Sequence, residues 1–272
     1  MRMDRDPFNT NVVLLTGASR GIGAQMAVQL ADKGAWLMLA ARDEQKLGEV
    51  AAACRARGGK AALLATDLSD EGQCKRLVEE TVRSYGRIDT LLYNAGRGYP
   101  RRFDALPDLD SVRSEITLNY LGMVYCSFYA LPHLKQSRGR IVGVSSFGAL
   151  VGLPGTAGYN SSKHALRGFL NSLRVELLGS RVTVTSLYLG AVRTERLAET
   201  MGKNIERVPT MAPKRCAALI IGAAAQRRRE SILTGEGKLL VWLYALAPGL
   251  LDRQLARLER LYQAPAFSGP RA

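Results

Sequence analysis

Val12-Val13-Leu14-Leu15-Thr16-Gly17-Ala18-Ser19-Arg20-Gly21-Ile22-Gly23 sets the reading of this chain. Four apolar, β-favouring residues run into a glycine-rich turn, and helical spacing follows from Gly23 to Lys33. Such a passage suits an anion. Gly17, Gly21 and Gly23 permit positive φ and let backbone amides approach closely. The helix start adds unpaired N–H groups and the positive end of its dipole. Ser19, Arg20 and Ile22 fill the turn between the glycines. The G-x-x-x-G-x-G spacing differs from the commoner G-x-G-x-x-G, so the strand before it and the helix after it carry the assignment.

The same alternation continues outward. Trp36–Ala40, Ala61–Ala65, Ile88–Tyr93, Ile141–Ser145 and Val182–Tyr188 repeat the apolar strand signal, while Glu44–Arg57, Asp70–Tyr85, Val112–Leu134 and Tyr159–Leu178 carry helical spacing. Short strands alternating with longer helices predict an α/β fold, a doubly wound parallel sheet of Rossmann-like type. With no linker or repeat in between, residues 1–235 read as one dinucleotide-binding and catalytic domain, and 236–272 as an apolar–basic helical tail. In that tail Gly237–Leu251 is apolar but too short to span a bilayer, and Pro248-Gly249 interrupts it. Leu251, Leu255, Leu258 and Tyr262 then recur on one side at helical spacing. Three fates stay open for the tail: packing on the domain, covering a substrate pocket, or lying in a membrane interface beside Arg253, Arg257 and Arg260.

Composition narrows the function classes. Over 272 residues, 47% hydrophobic and 23% charged side chains exclude disorder, collagen and coiled coil. Four cysteines without a C-x-x-C pair argue against a disulfide scaffold or zinc site, so no metal is expected. Met1–Asn11 is polar, without the apolar core of a signal peptide, and a cytoplasmic location is expected, with membrane association through the tail left open. A net charge of +14 favours anionic partners, a solvated basic surface being the plainer alternative. His133 and His164 are the only histidines, too few for a Ser-His-Asp site or a His-rich metal site. Arg227-Arg228-Arg229 lacks an aromatic platform and reads as a helix end, so no nucleic-acid partner is expected.

The second strand points to the cofactor. An acidic residue near its end would accept hydrogen bonds from ribose hydroxyls; here Ala41 and Arg42 stand there, with Asp43 one step later. The forked guanidiniums of Arg20 and Arg42 suit a 2′-phosphate, so NADP(H) is preferred over NAD(H). The competing reading leaves Arg42 on the surface and Asp43 as a helix cap. Asp67 either hydrogen-bonds adenine or caps a helix.

Tyr159-Asn160-Ser161-Ser162-Lys163 places a phenol and an ammonium one helical turn apart. Bringing a phenol from about 10 to neutrality needs about three units, roughly 4 kcal/mol. An ammonium about 4 Å away contributes about that much at an effective dielectric near 20. Lys163, with the positive ring of an oxidised nicotinamide, is therefore expected to lower Tyr159. Ser146 precedes Tyr159 by 13 positions at a strand end, Asn94-Ala95-Gly96 ends the fourth strand, and Asn119 lies in the helix after it.

In this order the motifs resemble the short-chain dehydrogenase/reductase family, in its compact single-domain branch, over about residues 10–235. The resemblance implies that Tyr159 exchanges a proton with the substrate oxygen and that Lys163 lowers its pKa and binds the nicotinamide ribose. It implies that Ser146 hydrogen-bonds the substrate carbonyl, that Asn119 holds a water of the proton relay, and that Asn94, Ala95 and Gly96 support the sheet beside the cofactor. Leu68, Gly190, Val192 and Thr194 complete the implied cofactor contacts, Thr194 at the nicotinamide carboxamide. Leu189-Gly190-Ala191-Val192-Arg193-Thr194 lacks the proline common there, and the tail resembles that of hydrophobic-substrate members such as the 11β-hydroxysteroid dehydrogenase-like subgroup. The expected activity is oxidoreduction between a hydroxyl and a carbonyl on a small apolar substrate: a steroid, retinoid, long-chain aldehyde or similar. A homodimer or homotetramer is expected through the Leu118–Leu131 helix and the Tyr159 helix. Two alternatives remain: a 3-oxoacyl carrier-protein reductase, for which the basic surface would suit an acidic carrier, and a non-catalytic NADP-binding sensor or scaffold.

Overall fold

A computed structural model describes residues 6–201, 206 and 208–262, with side chains as far as Arg257. Met1–Arg5, the tail beyond Tyr262, and the Leu258, Arg260 and Tyr262 side chains of the expected apolar and basic stripes lie outside the described residues.

Seven parallel strands form one sheet in the order β3-β2-β1-β4-β5-β6-β7. They are β1 (Val12–Thr16), β2 (Trp36–Ala41), β3 (Lys60–Ala65), β4 (Thr90–Tyr93), β5 (Arg140–Ser146), β6 (Thr183–Leu189) and β7 (Glu230–Ile232). All five β1 residues are buried, as a strand covered on both faces requires. One face carries α1 (Gly21–Asp32), α2 (Glu44–Arg55) and α8 (Pro213–Ala225), whose Met26, Leu30, Leu47 and Ile220 pack with Val13, Leu15, Leu37 and Val142. The other carries α3 (Glu71–Tyr85), α5 (Gly122–Ser137) and α6 (Ala157–Glu176), whose Leu77, Met123, Leu134 and Leu170 pack with Leu14, Met38, Leu91 and Ile141. This is the doubly wound sheet the alternation predicts.

Local chemistry fixes the helix starts. Asp43 Oδ1 accepts from Lys46 N (3.0 Å) ahead of α2, and Asp70 Oδ1 from Gln73 N (2.8 Å) ahead of α3. Gly86, at φ +76°, ends α3 in the left-handed conformation.

Two features depart from the sequence-based elements. The helix expected over Val112–Leu134 is divided into α4 (Asp110–Ile116), a π turn at Thr117–Leu121 and α5. β7, only Glu-Ser-Ile, is too short and too polar to signal itself, and exists by pairing with Ser186–Tyr188 of β6. Past it the chain forms α9 (Gly235–Leu246) and α10 (Pro248–Tyr262), parted at Ala247 because Pro248 cannot continue a helix. Arg227, just past the end of α8, is exposed and donates to the Arg138 (3.1 Å) and Gly139 (3.2 Å) carbonyls.

Candidate active site

Sheet order reverses between β1 and β4, and an open cleft of about 390 Å³ lies outside their carboxyl ends. Gly17 (φ +64°) and Gly21 (φ +58°) take the left-handed backbone that glycine tolerates. Space imposes the same choice: a Cβ on Gly17 would stand 2.9 Å from Ala95 Cα, and one on Gly23 would overlap the Gly17 carbonyl. Ser19, Arg20 and Ile22 line the cleft, and no side chain caps the first turn of α1. A tight glycine turn leading into an uncapped helix start fits a pyrophosphate.

The end of β4 is tied to this turn. Thr16 Oγ1 accepts from Asn94 N (3.0 Å) and Ala95 N (3.2 Å), and Asn94 Nδ2 donates to the Gly17 carbonyl (3.2 Å). Arg42 is exposed and lines the cleft, and Asp43 beside it caps α2. Asp67 and Leu68 line the cleft too; Asp67 Oδ1 accepts from Ser69 N (2.9 Å), a turn role, and Asp70 takes the helix cap. Thr194 also lines the cleft, its methyl against Gly21 and its hydroxyl accepting from Leu197 N (3.2 Å). Gly190 and Val192 are placed elsewhere: they border a small space behind the cleft with Met211 and Thr234.

Behind Gly96 the remaining candidates meet. Tyr159 lies in the first turn of α6, and Lys163 Nζ comes within 5.7 Å of its ring centroid, so both project to one side. Ser146, the last residue of β5, is near enough to act on the Tyr159 phenol, and its own hydroxyl accepts from Gly148 N (3.2 Å). Gly96 separates the cluster from the cleft: a Cβ there would lie 3.1 Å from Asn119 Oδ1 and 3.2 Å from Lys163 Nζ. Asn119, fully buried in the π turn, accepts from Arg97 N (2.8 Å) and donates to the Arg97 carbonyl (2.7 Å) and Ser162 Oγ (2.9 Å). Its side chain thus serves the segment after β4. His164 Nδ1 meets the Asn160 carbonyl (2.9 Å) on the exposed side of α6.

Burial pushes the Lys163 ammonium down to about 8, and its Nζ donates to the Val144 carbonyl at 3.3 Å. Burial likewise raises the Tyr159 phenol; the Ser146 hydroxyl and the Arg196 charge pull it back, and the Glu115 charge raises it further. Desolvation of both groups opposes ionisation of either.

Residues 11–204 match the family model of the short chain dehydrogenases. The chain belongs to that family. A fatty acyl-CoA reductase from Acinetobacter baylyi is 36% identical over 251 residues, covering 90% of this chain and 83% of its own. An 11-beta-hydroxysteroid dehydrogenase-like protein, 4A, from Arabidopsis thaliana is 33% identical over 254 residues, covering 91% and 84%. Among solved structures, a short chain dehydrogenase from Burkholderia cenocepacia in complex with NADP superposes with a TM-score of 0.80 at 24% identity, covering 91% of this chain and 98% of that one.

In this short chain dehydrogenase the structure adds residues to the site that the sequence did not single out. Arg196, on α7 (Glu195–Met201), crosses the cleft to donate to the Gly96 carbonyl (3.0 Å). Gly98 lies on the Tyr159 ring, where a Cβ would come within 2.9 Å of Cδ2. Phe147, next to Ser146, fills the space where Gly237 would carry a Cβ, so the start of α9 is pressed against the candidate substrate region. Glu115 is buried on α4 and accepts from Tyr99 N (2.6 Å). These are approaches between segments distant in the chain, and no local motif announces them.

Proposed function

We propose that this short chain dehydrogenase interconverts a carbonyl and a hydroxyl on an apolar substrate, with NADP(H) as the hydride partner. The observation that carries the reading is the grouping of Tyr159, Lys163 and Ser146: Lys163 Nζ lies 5.7 Å from the Tyr159 ring centroid, Ser146 acts on the phenol, and Gly96, which lines the cleft, packs against Lys163 Nζ. A bound nicotinamide would supply or accept the hydride at the substrate carbon. Tyr159 gives its phenolic proton to the carbonyl oxygen, and Ser146 donates a hydrogen bond to the same oxygen as negative charge builds on it. In the reverse direction the phenolate recovers that proton. Lys163 stabilises the phenolate by charge and reaches the nicotinamide ribose, while Asn119 keeps the Arg97 backbone in register beside them.

Arg20 and Arg42 line the outer end of the cleft; Asp43, next to Arg42 in the chain, is engaged in capping α2, and Glu199 Oε1 lies 3.7 Å from Arg20. That balance favours a 2′-phosphate over free ribose hydroxyls. The NADP named for the Burkholderia structure agrees with it. An apolar substrate is supported by the Phe147–Gly237 contact and by the relatives' names, a fatty acyl-CoA reductase and hydroxysteroid dehydrogenase-like proteins.

The tail supports contact with an anionic membrane surface. On α9 and the start of α10, Leu239, Trp242, Leu243, Leu246 and Leu250 follow helical spacing and stand outward, Trp242 60% exposed. Exposed Lys238, Arg253 and Arg257 supply the complementary charge. Among the described residues no helix is long and apolar enough to cross a membrane, so the contact is peripheral. Sedimentation with phosphatidylserine vesicles at low salt is expected, and Trp242→Ser should weaken it. A wild-type chain that stays in the supernatant rejects the contact; self-association abolished by Trp242→Ser assigns this face to a second copy instead.

NADPH consumption with steroids, retinoids, long-chain aldehydes and 3-oxoacyl thioesters tests the activity. Turnover of an apolar carbonyl that disappears in Tyr159→Phe is the expected result. Nucleotide binding without turnover of any of them favours the sensor or scaffold reading, and salt-sensitive turnover confined to carrier-bound 3-oxoacyl groups favours the carrier-protein reductase.

A further inference from the structure

Glu115 and Asn119 occupy successive turns of one helical stretch and hold the chain that leaves β4 at two points. Asn119 takes both backbone groups of Arg97, donating to its carbonyl and accepting from its N–H. Glu115 Oε1 takes the N–H of Tyr99 at 2.6 Å. Between the two grips is Gly98, whose backbone lies against the Tyr159 ring closely enough that any side chain there would strike Cδ2. The second oxygen of Glu115 abuts Gly158, the residue before Tyr159. A buried carboxylate thus touches the polypeptide on both sides of the phenol. Among the described residues Glu115 has no salt bridge within 4 Å, and Arg97 is the cation that acts on it.

We propose that Glu115 is a positioning residue for Tyr159: its carboxylate fixes the Arg97–Tyr99 segment so that Gly98 lies on the phenol ring, and it stands against the polypeptide on both sides of that phenol. The inference rests on the reading of Tyr159 as the proton donor, and it adds a bias toward carbonyl reduction, the direction that needs the protonated form. The groups acting on Tyr159 come from every element around it. Glu115 on α4 pushes toward the phenol; Ser146 at the end of β5 and Arg196 on α7 pull toward the phenolate; Lys163 on α6 is held at the Val144 carbonyl. Burial raises the Glu115 carboxyl itself, and the Tyr99 N–H and the Arg97 charge offset part of that rise. An aliphatic side chain of similar size would fill the volume but could neither accept from Tyr99 nor carry the charge.

Two variants separate grip from charge. Glu115→Gln keeps an acceptor for Tyr99 N–H and removes the charge; Glu115→Leu removes both. Hydrogen exchange at the Tyr99 amide reads the grip without any substrate: about 10-fold or faster exchange is expected in Glu115→Leu and little change in Glu115→Gln. The pH profile of kcat/KM for reduction reads the charge. Its alkaline limb should move to lower pH by about 0.5–1 unit in Glu115→Gln, because the phenolate no longer faces an anion. KM for the carbonyl should rise in Glu115→Leu only, and nucleotide affinity should hold in both. Unchanged Tyr99 exchange in Glu115→Leu overturns the grip, and a superimposable profile in Glu115→Gln overturns the charge effect. A wild-type protein that reduces no carbonyl defeats the proposed activity instead, and the exchange measurement still decides the grip.

Discussion

At the outer end of the cleft Arg20, Arg42 and Lys46 meet solvent, whereas at its inner end Asn119 and Lys163 are buried and Tyr159 is partly covered. The two ends work under different dielectric conditions. Outside, charges are screened and adjust freely, so each contributes little and can be exchanged. Inside, desolvation controls protonation: it depresses the Lys163 ammonium and raises the Tyr159 phenol, and each hydrogen bond there has few substitutes. A substitution inside should therefore alter the chemistry steeply with little change in nucleotide affinity, and one outside should alter affinity or selectivity by modest factors.

The largest effect belongs to Tyr159→Phe, which removes one oxygen and keeps the ring under Gly98. We expect kcat to fall about 10³-fold while nucleotide affinity, read by fluorescence titration, changes by less than about threefold. Comparable losses in both would show that the two ends are not separable.

Lys163→Met comes next and moves activity and stability in opposite directions. Holding the Lys163 pKa near 8 in the folded chain, against about 10.4 for an ordinary lysine, corresponds to about 3 kcal/mol of unfavourable burial of the ammonium. The sign follows from proton binding. Between those two values the unfolded chain binds more protons, so wild-type stability gains as pH rises through the window, and the full penalty applies below about pH 8. Without added nucleotide, the variant should be more resistant to urea than the wild type at neutral pH, with the margin closing above pH 8, while kcat falls about 10²-fold. A variant less stable at every pH would mean that the hydrogen bond to Val144 outweighs desolvation.

This contrast also marks what the sequence could disclose. The glycine turn and the Tyr159–Lys163 spacing are local, because a turn or one helical repeat fixes their geometry wherever the chain folds, and six of the seven strands carry enough apolar residues to announce themselves. The fold class was legible for that reason. Glu115, Gly98 and Arg196 acquire their roles through contacts between α4, the segment after β4, α6 and α7, which no spacing encodes. The desolvation that raises Tyr159 lies outside pairwise Coulomb arithmetic at assumed distances, and β7 was missed because three residues with one apolar side chain carry no periodicity.

At the outer end, Arg42→Asp tests selectivity. Replacing a cation by an anion where a 2′-phosphate would sit should reduce the ratio of NADPH to NADH efficiency by about 10- to 30-fold, with a larger change at low salt. An unaltered ratio would place the phosphate elsewhere, and the NADP argument would then rest on Arg20 alone.

The smallest effect sharpens the comparison most. Arg20 Nη1 lies 3.7 Å from Glu199 Oε1 on α7, with both side chains well exposed. An exposed pair of this kind is worth about 0–1 kcal/mol, so a dinucleotide phosphate can compete with Glu199 for the guanidinium at low cost. Glu199→Gln removes the competitor and leaves Arg20 in place. NADPH should then bind about two- to fivefold more tightly, with kcat unchanged, and the gain should fade as salt is raised. Weaker binding in this variant would give the opposite account, in which Glu199 orients Arg20 for the phosphate instead of occupying it. The outer end would then be preorganised like the inner one, and the distinction between a screened, exchangeable surface and a desolvated, exacting core would fail at its most exposed residue.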